Sequence, residues 1–423
     1  MERETVHISG RRQNVSPVAG EGAPGPGRPW RGDAASGGRM RSFAAVAAAL
    51  ALIALGVGLF GLLSQRANSL VSGQPTPIST ATASGSGQTP LPNAITITAQ
   101  LPSGSRLASI SLTSTTEGWL AGQVDGAEGT SGPPARVLLA HFDGKAWTYS
   151  KDSETFPGAL LLSIAMASAD EGWASGTRQN ALGVAVGALL LHYSGGHWRE
   201  AHLDFPAGFL GGVVRMTSAD EGWLYGAVGL KDNPNRRTVL FHYANGSWAL
   251  FSSVSGYADI DMLSATDGWA INWQTFAVLH YSGGTWQTVA HAPGQPLSIA
   301  MVSPGEGLIG GFDAKTQSSF LLHYDGHAWR PVTLPQVEFT EIDRVVMVSA
   351  MEGWAFGADH GTAHFALLAW HYSNGTWERE NIAYDYAGGP AGISFPSPTE
   401  GWLTNSSRTL LHYTNGAWTL VNR

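Results

Sequence analysis

From about residue 94 the chain alternates two short patterns in which apolar runs are broken by turn residues. The first is an apolar run, an acidic turn and a large apolar residue: Glu117-Gly118-Trp119, Glu171-Gly172-Trp173, Glu221-Gly222-Trp223, Asp267-Gly268-Trp269, Glu306-Gly307-Leu308, Glu352-Gly353-Trp354 and Glu400-Gly401-Trp402. The second reads HYxxGxW, clearest at 192–198, 242–248, 280–286, 371–377 and 412–418, with variants at 141–147 and 323–329. The two alternate strictly through seven copies, and from Trp147 to Trp418 the interval is about 45 residues. Thirteen of the 16 tryptophans fall at these positions, so the repeat is a structural unit rather than a compositional accident.

A 40–50-residue period made of short strands predicts a β-propeller, one four-stranded antiparallel blade per repeat. Strand a is the apolar run before the acidic turn, and strand b begins at its Trp. Strand c is the LLLHY-type run, and strand d carries the second Trp. The b and c runs are apolar on both alternating faces, as expected of sheets packed between neighbours. Asn-Gly, Gly-Gly or Asp-Gly between c and d predicts tight hairpins, because these residues accept positive φ. The expected fold is therefore all-β, a seven-bladed propeller over 94–423, with blades at about 94–151, 160–201, 210–252, 256–290, 296–333, 341–381 and 390–423. The C-terminus supplies its own strand d at Trp418–Val421. The extra strand-like stretch 94–100 is accordingly expected to pair with the edge of the last blade and latch the ring.

The sequence before the repeat has a different character. Ser42 to Leu63 is 22 residues without a charge; at about 1.5 Å per residue it spans roughly 33 Å, enough for a bilayer core of about 30 Å. Residues 1–41 hold seven Arg and four acids, a net +3, whereas 42–423 carry −11. The basic side predicts a transmembrane helix at 42–63 with a cytoplasmic N-terminus and an extracytoplasmic propeller. A cleaved signal peptide is the competing reading. Residues 1–41, rich in Gly, Pro and Arg, read as a disordered cytoplasmic tail, and 64–93 as a Ser/Thr/Pro/Gly-rich stalk. The acidic head argues against nucleic acid as a partner. The chain has no Cys, which removes disulfides, thiolate metal sites and cysteine nucleophiles.

The alternation of (E/D)GWA.G with LLHYxxGxW resembles bacterial multi-blade propellers with WAVG-type and LHYDGxxW repeats, near the kelch, BNR/Asp-box and photosystem II assembly-factor-like propellers. The resemblance covers about 94–423 and implies the fold rather than an activity. The acidic turn is shorter than a sialidase Asp box, and no recurrent Arg marks a substrate-carboxylate cluster. A galactose-oxidase-like copper centre would need a Cys.

Residues present in every blade read as scaffold. The repeat histidines, from His141 to His412, would stand far apart round a ring and not converge on a metal, so each is expected to be a half-buried His bonded within its hairpin. The turn acids read as turn chemistry, and no cofactor or metal is expected. Function is sought where blades differ, in the b–c and d–a connections that share one face. The candidate ligand-face residues are Tyr257, Asp259, Trp273, Lys231, Arg236, Arg237, Asp359, His360 and Tyr386. Aromatic and charged residues round a propeller mouth suit a peptide, glycan or protein ligand. The leading expectation is a membrane-anchored, non-catalytic binding or assembly module. A polysaccharide hydrolase or lyase using acids such as Asp259 or Asp359, and a sensor signalling through the tail, are the alternatives.

Overall fold

A computed structural model describes residues 97–126, 135–229, 236–334, 340–359, 366–380, 382, 389–405 and 409–421. The tail, the apolar run 42–63 and the stalk lie outside the described residues. Among the described residues no helix is long and apolar enough to cross a membrane.

The described strands form seven sheets, each built from one continuous stretch of chain in the order a-b-c-d. Blade 1 comprises Ser105–Ser114, Glu117–Val124, Arg136–Phe142 and Ala146–Tyr149. The other six occupy 159–200, 213–255, 258–291, 295–332, 340–380 and 390–420. The inner strands a of successive blades lie against one another round the ring, including blade 7 with blade 1, and those of blades 3 and 4 meet through Arg215 and Asp261. The predicted seven-bladed, all-β propeller is thus the observed one. The a–b turns and c–d hairpins share one face, here called lower; the b–c and d–a connections share the upper face. The hairpin turns have the backbone their sequences demand: φ is 53° and 76° at Asn245-Gly246, 49° and 88° at Asn374-Gly375, and 58° and 79° at Gly195-Gly196. Positive φ at both central residues gives the turn whose twist matches the strands.

Ring closure departs from the expected latch. Thr98–Gln100 does not pair with blade 7; it runs parallel to strand d of blade 1, with Thr98 opposite Ala146 and Gln100 opposite Thr148. The physical reason is an apolar stripe at alternate positions. Ala99 is buried in one cluster with Trp147, Trp402, Leu410 and Val421, and Ile97 and Leu101 pack against it. The segment therefore fills the wedge between the first and last blades by packing on both, while its hydrogen bonds go to blade 1. An Ala99→Asp variant places a charge in that wedge and is expected to lose about 1–3 kcal/mol, read as a lower urea midpoint with the ring still closed.

Two details explain the repeated residues. First, the two tryptophans of the repeat meet across blade boundaries. The Trp of strand b stands edge-to-face on the strand d Trp of the next blade in five pairs: Trp119 with Trp198 at 5.5 Å, Trp173 with Trp248 at 5.3 Å, Trp269 with Trp329 at 5.5 Å, Trp354 with Trp418 at 5.7 Å, and Trp402 with Trp147 at 5.3 Å. This is a favoured aromatic geometry. Between blades 3 and 4 Phe251 takes the place against Trp223 instead, at 5.1 Å. Leu308 stands in the Trp position of blade 5, where the fully buried Trp370 of blade 6 joins its cluster.

Second, the glycine three residues after the Trp of the acidic turn lies against a β-bulge. Strand pairing slips beside Leu107, Leu161, Pro296 and Ile342. There the strand a carbonyl approaches so closely that an added Cβ would meet Arg106 O at 2.0 Å from Gly122, Leu160 O at 2.0 Å from Gly176 and Glu341 O at 1.7 Å from Gly357. The obstacle is backbone and cannot swing aside. Gly176→Ala is therefore expected to cost about 1–3 kcal/mol, whereas Gly187→Ala, with nothing within 4 Å of the added carbon, leaves the denaturation midpoint unchanged.

Candidate binding face

The inner strand of each blade is a sheet edge, so its outward N–H groups need acceptors from elsewhere. The neighbouring blade supplies them. Ser109 Oγ accepts from Ile164 N at 3.2 Å and Ser111 Oγ from Met166 N at 3.0 Å. Ser163 serves Val214 N, Ser298 serves Val345 N, and Ser394 serves Leu112 N across the closure at 3.0 Å. In blade 4 the same two places are Asp259 and Asp261, which accept from Ile299 N at 3.2 Å and Met301 N at 2.7 Å. Blade 3 answers their charge: Arg215 Nη1 donates to Asp261 Oδ1 at 3.2 Å, and the Tyr225 hydroxyl donates to Asp259. Burial pushes the Asp261 carboxyl up, against the lowering effects of Arg215 and the Met301 amide. Burial also raises the Tyr225 phenol, reinforced by the Asp259 charge, so it stays a donor.

Asp259 is therefore a clamp between three blades, not a residue of the ligand face. Both acids of blade 4 have their oxygens engaged, which gives them no geometry for acid–base work on a substrate. The shift of Asp261 has a consequence for stability. A carboxyl raised in the folded state contributes fully below its ordinary range, and that contribution is lost as pH rises through the raised value. Unfolding midpoints are expected to fall as pH rises above the ordinary carboxylate range, and to fall less in Asp261→Asn.

On the upper face three of the expected residues come together. Arg236, at the end of the b–c connection of blade 3, lies with its guanidinium carbon 3.0 Å from the centroid of Tyr257. Tyr257, in the two-residue connection into blade 4, stacks on Trp273 with centroids 5.7 Å apart and planes 25° apart. The connection from Trp273 to Phe276 is held tightly. Asn272 Oδ1 accepts from Gln274 N at 2.9 Å and Thr275 N at 3.0 Å, and Asn272 Nδ2 donates to Ser255 O at 2.7 Å. Phe276 is thereby kept at φ 60° and 37% exposed. A bulky side chain in the left-handed region persists only where its surroundings over-determine it. The result is a rigid platform of Tyr257 and Trp273, braced by Arg236 and continued in the chain by Phe276.

The other expected residues are scattered. Arg237 is exposed at the start of strand c of blade 3, opposite Val228 and Ser255. Asp359 ends strand b of blade 6, opposite Thr340 and Ala366. Lys231, His360 and Tyr386 lie outside the described residues. Phe276 was missed by sequence reasoning, because nothing in TFAVLHY distinguishes an exposed, strained Phe from a strand residue.

The repeated histidines also differ in their partners from the expectation. Each bonds not within its hairpin but to the turn acid of strand b: His141 Nε2 with Glu117 at 2.5 Å, His242 with Glu221 at 3.1 Å, His280 with Asp267 at 2.7 Å, and His192, His323, His371 and His412 with their own glutamates. In the six blades with a Trp in strand b the His ring also packs on that Trp, with centroids 4.0 Å apart for His371 and Trp354. Cross-strand register makes the pair, since Trp354 faces His371 directly. The signal was present in the paired periodicity of acid and His.

No family model matches the chain, and no curated protein matches its sequence. Solved structures do resemble it. One described as YCF48 bound to D1 peptide is 14% identical with a TM-score of 0.53, over 75% of this chain and 95% of that one. A GH74 xyloglucanase from Xanthomonas campestris is 13% identical with a TM-score of 0.51, over 73% of this chain and 52% of that enzyme. A streptogramin B lyase is 12% identical with a TM-score of 0.51, over 76% and 95%. At such identities the likeness is one of fold. The three descriptions name a peptide complex, a glycan-acting enzyme and a lyase, so the site decides function and the fold does not.

Proposed function

We propose that this chain is a non-catalytic binding module, anchored to a membrane by residues 42–63, whose propeller presents its upper face outside the cytoplasm to a protein or peptide. The observation that carries the reading is the Arg236–Tyr257–Trp273 stack, a pre-formed aromatic platform on the face where blades differ. Rigid aromatic residues with an arginine are the usual anchors of protein interfaces. A peptide complex among propellers of this fold supports that ligand class, as does the resemblance of the repeat to assembly-factor-like propellers. The direction of the chain supports the anchored orientation. Thr98–Gln100 runs parallel to strand d of blade 1 and so climbs from the lower face. The described chain thus begins at the lower face, opposite the platform.

The test is selection of ligands from a displayed peptide library on the full chain, followed by affinity measurement. Trp273→Ala is expected to weaken selected ligands by at least tenfold, on the order of 1.4 kcal/mol or more. Leu250→Ala, on an exposed outer strand, should leave them unchanged. Equal loss in both variants, or turnover of peptide or glycan by the wild type, defeats the reading.

A further inference from the structure

Strand d of each blade is a sheet edge on the outside of the ring, and an edge invites pairing with another chain unless it is blunted. The residue three after the strand d Trp bonds inward: Ser150 N donates to Leu139 O at 2.9 Å, Ala201 N to Leu190 O at 2.9 Å and Val421 N to Leu410 O at 3.0 Å. By alternation the Trp and the residue two after it turn their N–H and C=O groups outward. Blade 1 shows what such an edge can take: Ala99, on the strand Thr98–Gln100, pairs with Trp147 from outside.

The remaining edges are blunted unequally. The residue two after the Trp is Glu200 in blade 2, Pro331 in blade 5 and Arg379 in blade 6, facing Leu191, Leu322 and Trp370 of strand c. Charge and proline are the usual protections of an edge. Blades 3 and 4 have Leu250 and Thr288 at that place. Their outer strands Ser247–Ser255 and Thr285–His291 hold no Asp, Glu, Lys, Arg or Pro. At nine and seven residues they are also the longest strands d among the described residues. The upper ends separate the two. Strand d of blade 3 ends beside Arg236, whose side chain is buried, with Gly256 N donating to Arg236 O at 2.9 Å. Strand d of blade 4 ends beside Phe276: Ala277 faces His291, and Ala292 N donates to Phe276 O at 2.9 Å. Just below, pairing slips between Val278 and Leu279, so Val289 is an extra residue, and it is 51% exposed. The unprotected edge of blade 4 therefore leads past Val289 to Phe276 and Trp273 of the same blade.

We propose that the protein ligand contributes an extended, uncharged segment that adds as a fifth strand to residues 285–288 of blade 4 and continues past Val289 onto the aromatic platform. The proposal rests on the binding function stated above and adds how the ligand is held. Main-chain bonds to the edge give affinity, and the platform selects the side chain that arrives at its upper end. Charge sets the character of the segment. An added strand lies beside Trp286, Thr288 and Val289, where an ionised side chain would lose water without gaining an opposite charge from the strand. From Thr288 to Ala292 the chain climbs roughly 13 Å, at about 3.3 Å per residue, so a segment of about eight residues spans edge and platform together.

The probe is the tightest peptide selected on the full chain from a displayed library of random sequences. When it binds, hydrogen exchange is expected to slow at the Trp286 and Thr288 amides, which face outward in the free protein. Thr288→Pro removes one outward donor as Pro331 does in blade 5. It should weaken the peptide at least tenfold while the unliganded protein keeps a single cooperative unfolding transition. Leu250→Pro, the same change on blade 3, should leave the affinity at the wild-type value. Unchanged exchange at those two amides overturns the proposal, and that measurement stands even if Thr288→Pro fails to fold. Wild-type affinity in Thr288→Pro, or an equal loss in Leu250→Pro, overturns it too. Loss in Trp273→Ala with none in Thr288→Pro leaves the platform standing and removes the added strand, so the two failures are distinguishable. A library that yields no peptide defeats the binding function itself. A dimer of the unliganded chain that Thr288→Pro disperses would make the occupant a second copy, which also overturns the proposal.

Discussion

Replacing Trp402 by alanine is expected to cost about 3–5 kcal/mol, the largest single-residue loss in the ring. Trp402 is fully buried at the seam where the chain's last blade meets its first. Its ring lies 5.1 Å from Phe142 and 5.3 Å from Trp147, both edge-to-face, within the cluster that holds Ala99, Leu410 and Val421. Removing it deletes apolar area, the ring contacts with Phe142, Trp147 and His412, and the support of the leading strand at once. The neighbours are strands fixed by their own ladders, so the cavity cannot collapse. At the seam no peptide link joins the two blades directly, and a polar tie across it is the bond from Leu112 N to Ser394 Oγ. The expected result in hydrogen exchange is loss of protection in blades 1 and 7 before the rest. Trp286→Ala is the comparison, since its half-buried ring is held by a bond to Ser252 at 3.2 Å at an interface with no Trp–Trp pair. Equal midpoints for the two variants would show that the seam is no weaker than an interface of continuous chain.

Replacing Arg215 by methionine is expected to cost about 2–3 kcal/mol. Breaking a buried ion pair from one side typically costs about 3–5 kcal/mol because the other charge stays buried and uncompensated. The figure is reduced here because the Arg215 side chain is 38% exposed and solvent screens part of the effect. Asp261 and Asp259 would keep their backbone donors but lose the one counter-charge they have among the described residues, which lies 3.2 Å and 4.0 Å away. Asp261→Asn in the Arg215→Met background should restore part of the loss, because the amide oxygen still accepts from Met301 N while one buried charge disappears. The measurement is a double-mutant cycle of urea midpoints at pH 7. Additive losses would mean that the guanidinium acts through packing of its stem and not through charge.

Particular residues show how far the sequence reaches. The acidic-turn tryptophans and the Asn-Gly hairpins are written in local chemistry. A pattern of period two with positive-φ residues at fixed offsets has one economical solution, and seven such units with apolar faces on both sides must stack. Asp259 shows where that reasoning stops: in the string ADIDML it reads as a polar face residue, yet it is a clamp. The strand edge beside it belongs to a blade forty residues further on, and a linear pattern carries no record of that neighbour. Arg236, Tyr257 and Trp273 were each legible as unusual, but their stacking depends on three connections meeting over one blade.

The sequence by itself determined the number of blades, their strands and their hairpins, because each is set by contacts within about 45 residues. Only the tertiary structure decided how the ring closes, which acids are compensated and which aromatic residues form a platform. Those outcomes depend on surfaces brought together by the curvature of the whole ring. The leading strand shows it most plainly: Thr98–Gln100 was recognisable as a strand, but its partner was chosen by the wedge between Trp147 and Trp402, which exists only once the circle is complete.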